Sequence, residues 1–319
     1  MAKQIDWQGT PAYILENDQL IVSICPAIGN NVYSIWDKKL QRELLRTPES
    51  PTAMTEQFVQ YGTPILMPPN RIRKGNFQFD GRNYQFDITQ QNTGNHIHGV
   101  IRQQSWTVTQ AGVSEDGKLF ITSSFNLNDD VNVQRQYPHA LELEVTYTLD
   151  GSELIHSLKA TNRGTETAPF GYGLHTWFLL DGKPESWKLQ LPVSGIWELD
   201  EQNIPTGEII PLGRYDALIE GDALNGHDMD TVFQVGDNPC IAILSRDDVE
   251  IRYSGSDLFK QWVIYTKGEA HDFICLEPYT WVTNAPNIDQ PAEVTGVRGI
   301  QPGNTLELEV ALRIVYKTS

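Results

Sequence analysis

The chain has 319 residues, 39% hydrophobic and 20% charged, which places it among folded globular proteins with room for a large core. Its 24 basic and 41 acidic side chains leave a net charge of −17. A field of that sign repels nucleic-acid phosphate and anionic membranes, and favours neutral or cationic ligands. The three cysteines, Cys25, Cys240 and Cys275, are odd in number and far apart, so neither a disulfide framework nor a zinc-ribbon spacing is expected.

The N-terminal stretch MAKQIDWQGTPAYILEND has no basic region followed by an apolar run, and no apolar stretch approaches the roughly 20 residues that cross a bilayer. A reduced cytoplasmic setting is expected. Residues 52–62, TAMTEQFVQYG, carry a pattern for two helical turns. Next, PILMPPNRIRKG ends an apolar run at Pro68-Pro69 and gathers Asn70, Arg71, Arg73 and Lys74 into the densest basic cluster. Phe77 and Phe79, then Tyr84, Phe86 and Ile88, alternate on either side of Asp80-Gly81, a strong hairpin signal.

Asp150-Gly151 repeats the device between ALELEVTYTL and SELIHSLKAT. KLFITSSF, WKLQLPV, CIAILS, VEIRYS, KQWVIYT and TLELEVALRIVY read as further short strands rich in β-branched and aromatic residues. Helical pattern is otherwise confined to one turn within 216–226. No β-then-helix alternation, no repeat of 40–50 residues and no linker is evident. The expectation is one large antiparallel β-sandwich over residues 1–319.

Five places put polar residues where the strand pattern calls for apolar ones. Arg71 offers a guanidinium fork for sugar hydroxyls or a carboxylate, or else belongs to a solvated turn. His96 and His98 in NHIHGV share one face if the segment is extended. A metal there requires further ligands, yet Arg102 and Gln103 follow instead, so no metal is expected. Gly99 beside His98 points to a close backbone approach.

His175 sits among Phe170, Tyr172, Leu174, Trp177 and Phe178, with Gly171 and Gly173 reducing the bulk nearby. It reads as a core histidine or as a proton-transfer group, with Trp177 as an aromatic platform for a sugar. In HDFICLEPYTW both strand faces look buried, yet Glu277 puts a carboxylate on the face of Phe273 and Cys275. Burial raises a carboxyl pKa toward that of a general base, unless arginine or backbone N–H groups satisfy it. Asp228 and Asp230 lead into a strand and read as sugar-hydroxyl ligands or as turn carboxylates. His139, His156, His227 and His271 have nothing distinctive around them. No P-loop, GxSxG elbow or GxGxxG is present.

Taken together, NRIRKGNFQFDGRNYQF, NHIHGVIRQQSW, GYGLHTWF, DMDTVF and FICLEPYT resemble the aldose 1-epimerase (mutarotase) family, in its order and over about residues 60 to 285. The resemblance implies a large antiparallel sandwich with an open sugar cleft and no metal or organic cofactor. It implies Glu277 as general base, His175 as general acid, and His98 as the histidine near the ring oxygen. It further implies Arg71 beside Asn70 as a substrate arginine and Asp230 as the hydroxyl-binding aspartate, with His96 at a more variable position. His175-Thr176-Trp177-Phe178 and Gly99-Val100 depart from the family's frequent His-Pro-Tyr-Phe and Gly-Gly.

The expected reaction is interconversion of the α and β anomers of a hexose such as glucose or galactose, with His175 charged beside a carboxylate. The partner is a small-molecule sugar, and the chain is expected as a monomer or homodimer. Rivals are a hexose-6-phosphate 1-epimerase using Arg71, Arg73 and Lys74, a non-catalytic sugar-binding protein, a glycoside hydrolase pairing Glu277 with an aspartate, and a metal-dependent isomerase.

Overall fold

The computed structural model describes residues 1–57, 59–268 and 272–317. Two large antiparallel sheets dominate. One has nine strands, from Thr107–Val113 through Leu141–Asp150, Glu153–Asn162 and Thr305–Tyr316 to Asp222–Ala223. The other has eight and includes Asp230–Gln234, Gln261–Tyr265, Phe273–Tyr279, Gly173–Leu174 and Thr176–Leu179. A five-stranded meander, Ala2–Trp7 to Arg42–Glu43, precedes them. Among the described residues no helix is long and apolar enough to cross a membrane.

The sheets meet face to face because their strands alternate inward apolar residues. Leu141, Leu143, Val145, Tyr147 and Leu149 are buried in turn along one strand. Opposite them, Trp262, Ile264, Ile274 and Leu276 join the same hydrophobic cluster. Across the interface the Tyr253 ring lies 6.0 Å from Trp262 and 5.6 Å from Phe178, and its hydroxyl bonds the Thr176 hydroxyl at 2.8 Å.

Both Asp-Gly hairpins form. Phe79 pairs with Arg82 across Asp80-Gly81, where both φ angles are positive, and Asp150 pairs with Glu153 across Gly151-Ser152. The helix expected over 52–62 is shorter. Among the described residues of this stretch Pro51–Glu56 alone is helical, started by the Ser50 hydroxyl accepting from the Ala53 N–H, and Gln57 already leaves helical angles. The expected turn within 216–226 is a 3₁₀ segment, Gly213–Ile219. A helix at Val131–Gln136, capped by Asp130, carried no periodic signal.

Candidate active site

Strand register brings the two central side chains together. Gly173 lies opposite Tyr279 and Thr176 opposite Leu276, so the same register sets His175 across from Glu277. The two groups are 3.3 Å apart, Nε2 to Oε1, and both are buried. The strand Phe273–Tyr279 is buried on both faces, as its sequence predicts. Ile274 and Leu276 enter the main core, while Phe273 and Cys275 pack with Trp177.

Glu277, His175, His98, Arg71, Asn70, Asp230 and Trp177 all line one cleft of about 580 Å³, together with Arg46, Gln90, Tyr265, Lys267 and Phe273. Desolvation pushes the Glu277 carboxyl well above the usual carboxylate range, and Asp230 adds to this. The Tyr279 hydroxyl, which donates to Glu277 Oε2, and Arg71 work against it.

His175 departs from expectation. Burial pushes its pKa down to about 3, which favours the neutral imidazole over the charged one expected. The physical reason is common to both groups: a dry environment penalises either charge, which favours the neutral carboxyl beside a neutral imidazole. Its ring stacks on Trp177 at 5.2 Å and meets His98 edge-on at 5.3 Å.

His96 and His98 do not share a face. His96 opens a two-residue strand, His96–Ile97, and turns into the core, with Nδ1 2.8 Å from the Asp87 carbonyl oxygen and its ring against Phe86. His98 has φ 66°, and this left-handed residue rotates its side chain into the cleft. His96 therefore lies outside the cleft, and burial pushes it down to about 4. Gly99 also has positive φ, and a Cβ there would stand 2.2 Å from the Met67 carbonyl oxygen, which is the close approach its sequence position signals.

Asn70 is buried, and its side-chain oxygen accepts from the Arg71 N–H at 2.8 Å and from Nη1 at 3.2 Å; Arg71 Nε donates to Gln90. Arg73 instead pairs with Asp200 outside the cleft, and Lys74 does not line it, so the basic cluster read from sequence disperses. Asp230 accepts from Asn203 at 3.0 Å, and its carboxyl is raised by burial. Asp228 is exposed and accepts from the Gly268 N–H, holding a loop and not facing the cleft.

Trp177 is nearly covered. With His175 stacked on it, Phe273 4.7 Å away and its N–H donated to the Val59 carbonyl, it buttresses the histidine and offers little open face to a sugar. The ligating atoms of His175, Cys275 and Glu277 lie within 4.8 Å of one another. Burial raises the Cys275 thiol well above its usual range, which opposes the thiolate a metal needs. His156 bonds the Tyr172 hydroxyl at 2.7 Å and His139 that of Tyr84 at 2.7 Å, both within the core, while His227 faces Asp222. His271 lies outside the described residues.

Sequence reasoning missed Arg46, Lys267 and Tyr279 as site residues. Tyr279 had a signal, since it shares a strand face with Glu277 two residues away. Arg46 had none: it arrives from the loop after the first meander, where its N–H donates to the Trp177 carbonyl at 2.9 Å.

The fold and cleft define an all-β protein with a buried carboxyl–imidazole pair at the base of an open pocket. The aldose 1-epimerase family model matches residues 11–313. Galactose mutarotase from Sus scrofa is 31% identical over 156 residues, 48% of this chain and 43% of that protein, and galactose mutarotase from Homo sapiens is 30% identical with the same coverage. The match thus spans less than half the length of these curated relatives.

Among solved structures, a galactose mutarotase-like protein from Clostridium acetobutylicum superposes with a TM-score of 0.93 at 24% identity, covering 99% of both chains. Galactose 1-epimerase from Lactobacillus acidophilus gives 0.81 at 17% identity over 100% of this chain and 99% of that one. The chain belongs to the aldose 1-epimerase family.

Proposed function

We propose that the protein is an aldose 1-epimerase that interconverts the α and β anomers of a hexopyranose. The observation that carries this reading is the 3.3 Å contact of Glu277 with His175 inside a cleft of sugar size. Ring opening takes a proton from the C1 hydroxyl and delivers one to the ring oxygen. A carboxylate and an imidazolium do both, and after rotation about C1–C2 they exchange roles to reclose the ring on the other face.

The pair carries the one proton this requires. Desolvation favours that proton on Glu277, and moving it to His175 across the 3.3 Å contact gives the reactive form without any exchange with solvent. The Tyr279 hydroxyl and Arg71 favour the carboxylate, and sugar hydroxyls supply polar contacts that burial removed. Arg71, Asp230 and His98 hold the ring. Polarimetry of freshly dissolved α-glucose and α-galactose tests the reading: the protein is expected to speed decay of the rotation, and Glu277→Gln and His175→Asn each to slow it by about 10²- to 10⁴-fold.

A further inference from the structure

Arg73 belongs to the basic cluster of the sequence but not to the cleft, and its partners lead back to the cleft by another route. Its guanidinium reaches the tip of the hairpin formed by Gly195–Leu199 and Pro205–Ile210, donating to Asp200 Oδ2 and, at 3.4 Å, to Gln202 Oε1. Asp200 Oδ1 accepts from the backbone N–H groups of Gln202 at 2.8 Å and Ile204 at 3.1 Å, turn chemistry an aspartate supplies readily. Gln202 Oε1 also accepts from the amide of buried Asn95 at 3.2 Å, next to His96. The tip is thus held both by the segment that carries Arg71 and by the one that leads to His98.

Asn203 follows in this turn with φ 56°, a left-handed backbone that asparagine tolerates better than most side chains. Its Nδ2 donates to Asp230 Oδ2 at 3.0 Å. Asp230 lines the cleft, and among the described residues Asn203 alone donates a hydrogen bond to its carboxylate, so Oδ1 is left for a ligand. Holding one oxygen fixes the plane of the carboxylate and with it the direction of the other. The donor also favours the charged form, with Arg71 and against the effects of burial and of Asp228.

We propose that Asn203 is a positioning residue for sugar binding: it clamps one oxygen of Asp230 so that the other is presented to a hydroxyl of the hexose ring. The sugar-binding role of Asp230 rests on the 1-epimerase reading; the clamp on its carboxylate does not.

Asn203→Gly removes the carboxamide and keeps the left-handed turn, so it reads the clamp and not the fold. Carboxyl carbon NMR is expected to show Asp230 titrating at higher pH in Asn203→Gly than in the wild-type protein. Sugar binding is measured by NMR titration of Glu277→Gln with glucose and galactose. Adding Asn203→Gly is expected to weaken it about 5- to 20-fold. The same change beside Asp230→Ala is expected to cost less than about twofold, because the amide acts only through that carboxylate. In the active protein KM is expected to rise by more than kcat falls. An Asp230 titration that does not move, sugar affinity unchanged by Asn203→Gly, or an equal loss with and without Asp230→Ala overturns the proposal. If the wild-type protein interconverts neither hexose and Glu277→Gln binds neither, the epimerase reading for these sugars falls instead, and the Asp230 titration decides the clamp by itself.

Discussion

At the scale of single residues, the proposed chemistry turns on removing water from groups that need charge. Glu277 is driven up and His175 down by the same desolvation, which favours a neutral pair one proton transfer away from the ion pair the proposed reaction uses. Tyr279 tips that balance, since its hydroxyl bonds the carboxyl. A hydrogen bond to a charged acceptor contributes about 1.5–3 kcal/mol, so Tyr279→Phe should lower kcat by about 10- to 100-fold while the fold persists, which circular dichroism and steady-state rates will check together. The two histidines of NHIHGV should separate in the same assays. His98→Asn is expected to reduce turnover at nearly native stability. His96→Asn is expected to lower the melting temperature with little loss of turnover per folded molecule, because its ring packs on Phe86 and bonds the Asp87 carbonyl.

At the scale of elements, positive-φ positions aim the side chains. Asn70, His98 and Gly99 all have left-handed backbones, and the Met67–Gly99 bridge locks the loop that carries them. Gly99→Ala would place a Cβ 2.2 Å from the Met67 carbonyl oxygen at φ 71°, so loss of about 2 kcal/mol or more in denaturant unfolding is expected, with turnover falling as His98 shifts. Such local backbone reversals explain what the sequence did and did not disclose. The hairpins at Asp80-Gly81 and Asp150-Gly151 and the strands ending in Tyr279 and Tyr316 were legible, because alternation and turn chemistry are local. Glu277 was legible as a carboxylate in a doubly buried strand, and Gly99 as a close approach. The split of His96 from His98 was not, since it depends on one φ angle that a period-2 reading takes as extended. Arg46 was not, since it meets Trp177 only through tertiary contact, and the neutrality of His175 was not, since burial is a property of the assembled sheets.

At the scale of the whole molecule, the core holds several histidines without charge. Burial pushes His156 and His175 down to about 3 and His96 and His139 to about 4, all below the free imidazole value of 6.5. A depressed folded-state pKa means that the unfolded chain binds more protons below about pH 6.5, so each group removes stability as pH falls from there toward its folded value, at up to about 1.4 kcal/mol per pH unit. Thermal melts are therefore expected to be level near neutrality and to drop steeply between about pH 6.5 and 4. A melting temperature unchanged over that interval would show these imidazoles to be charged or exposed. The same buried environment is what the proposed chemistry depends on, and polarimetry of α-glucose and α-galactose, with the wild-type and Glu277→Gln proteins compared near pH 7, tests it most directly. The wild-type protein is expected to accelerate mutarotation and Glu277→Gln to lose about 10²-fold or more of that acceleration while still binding sugar. A Glu277→Gln protein that mutarotates at the wild-type rate would contradict the account.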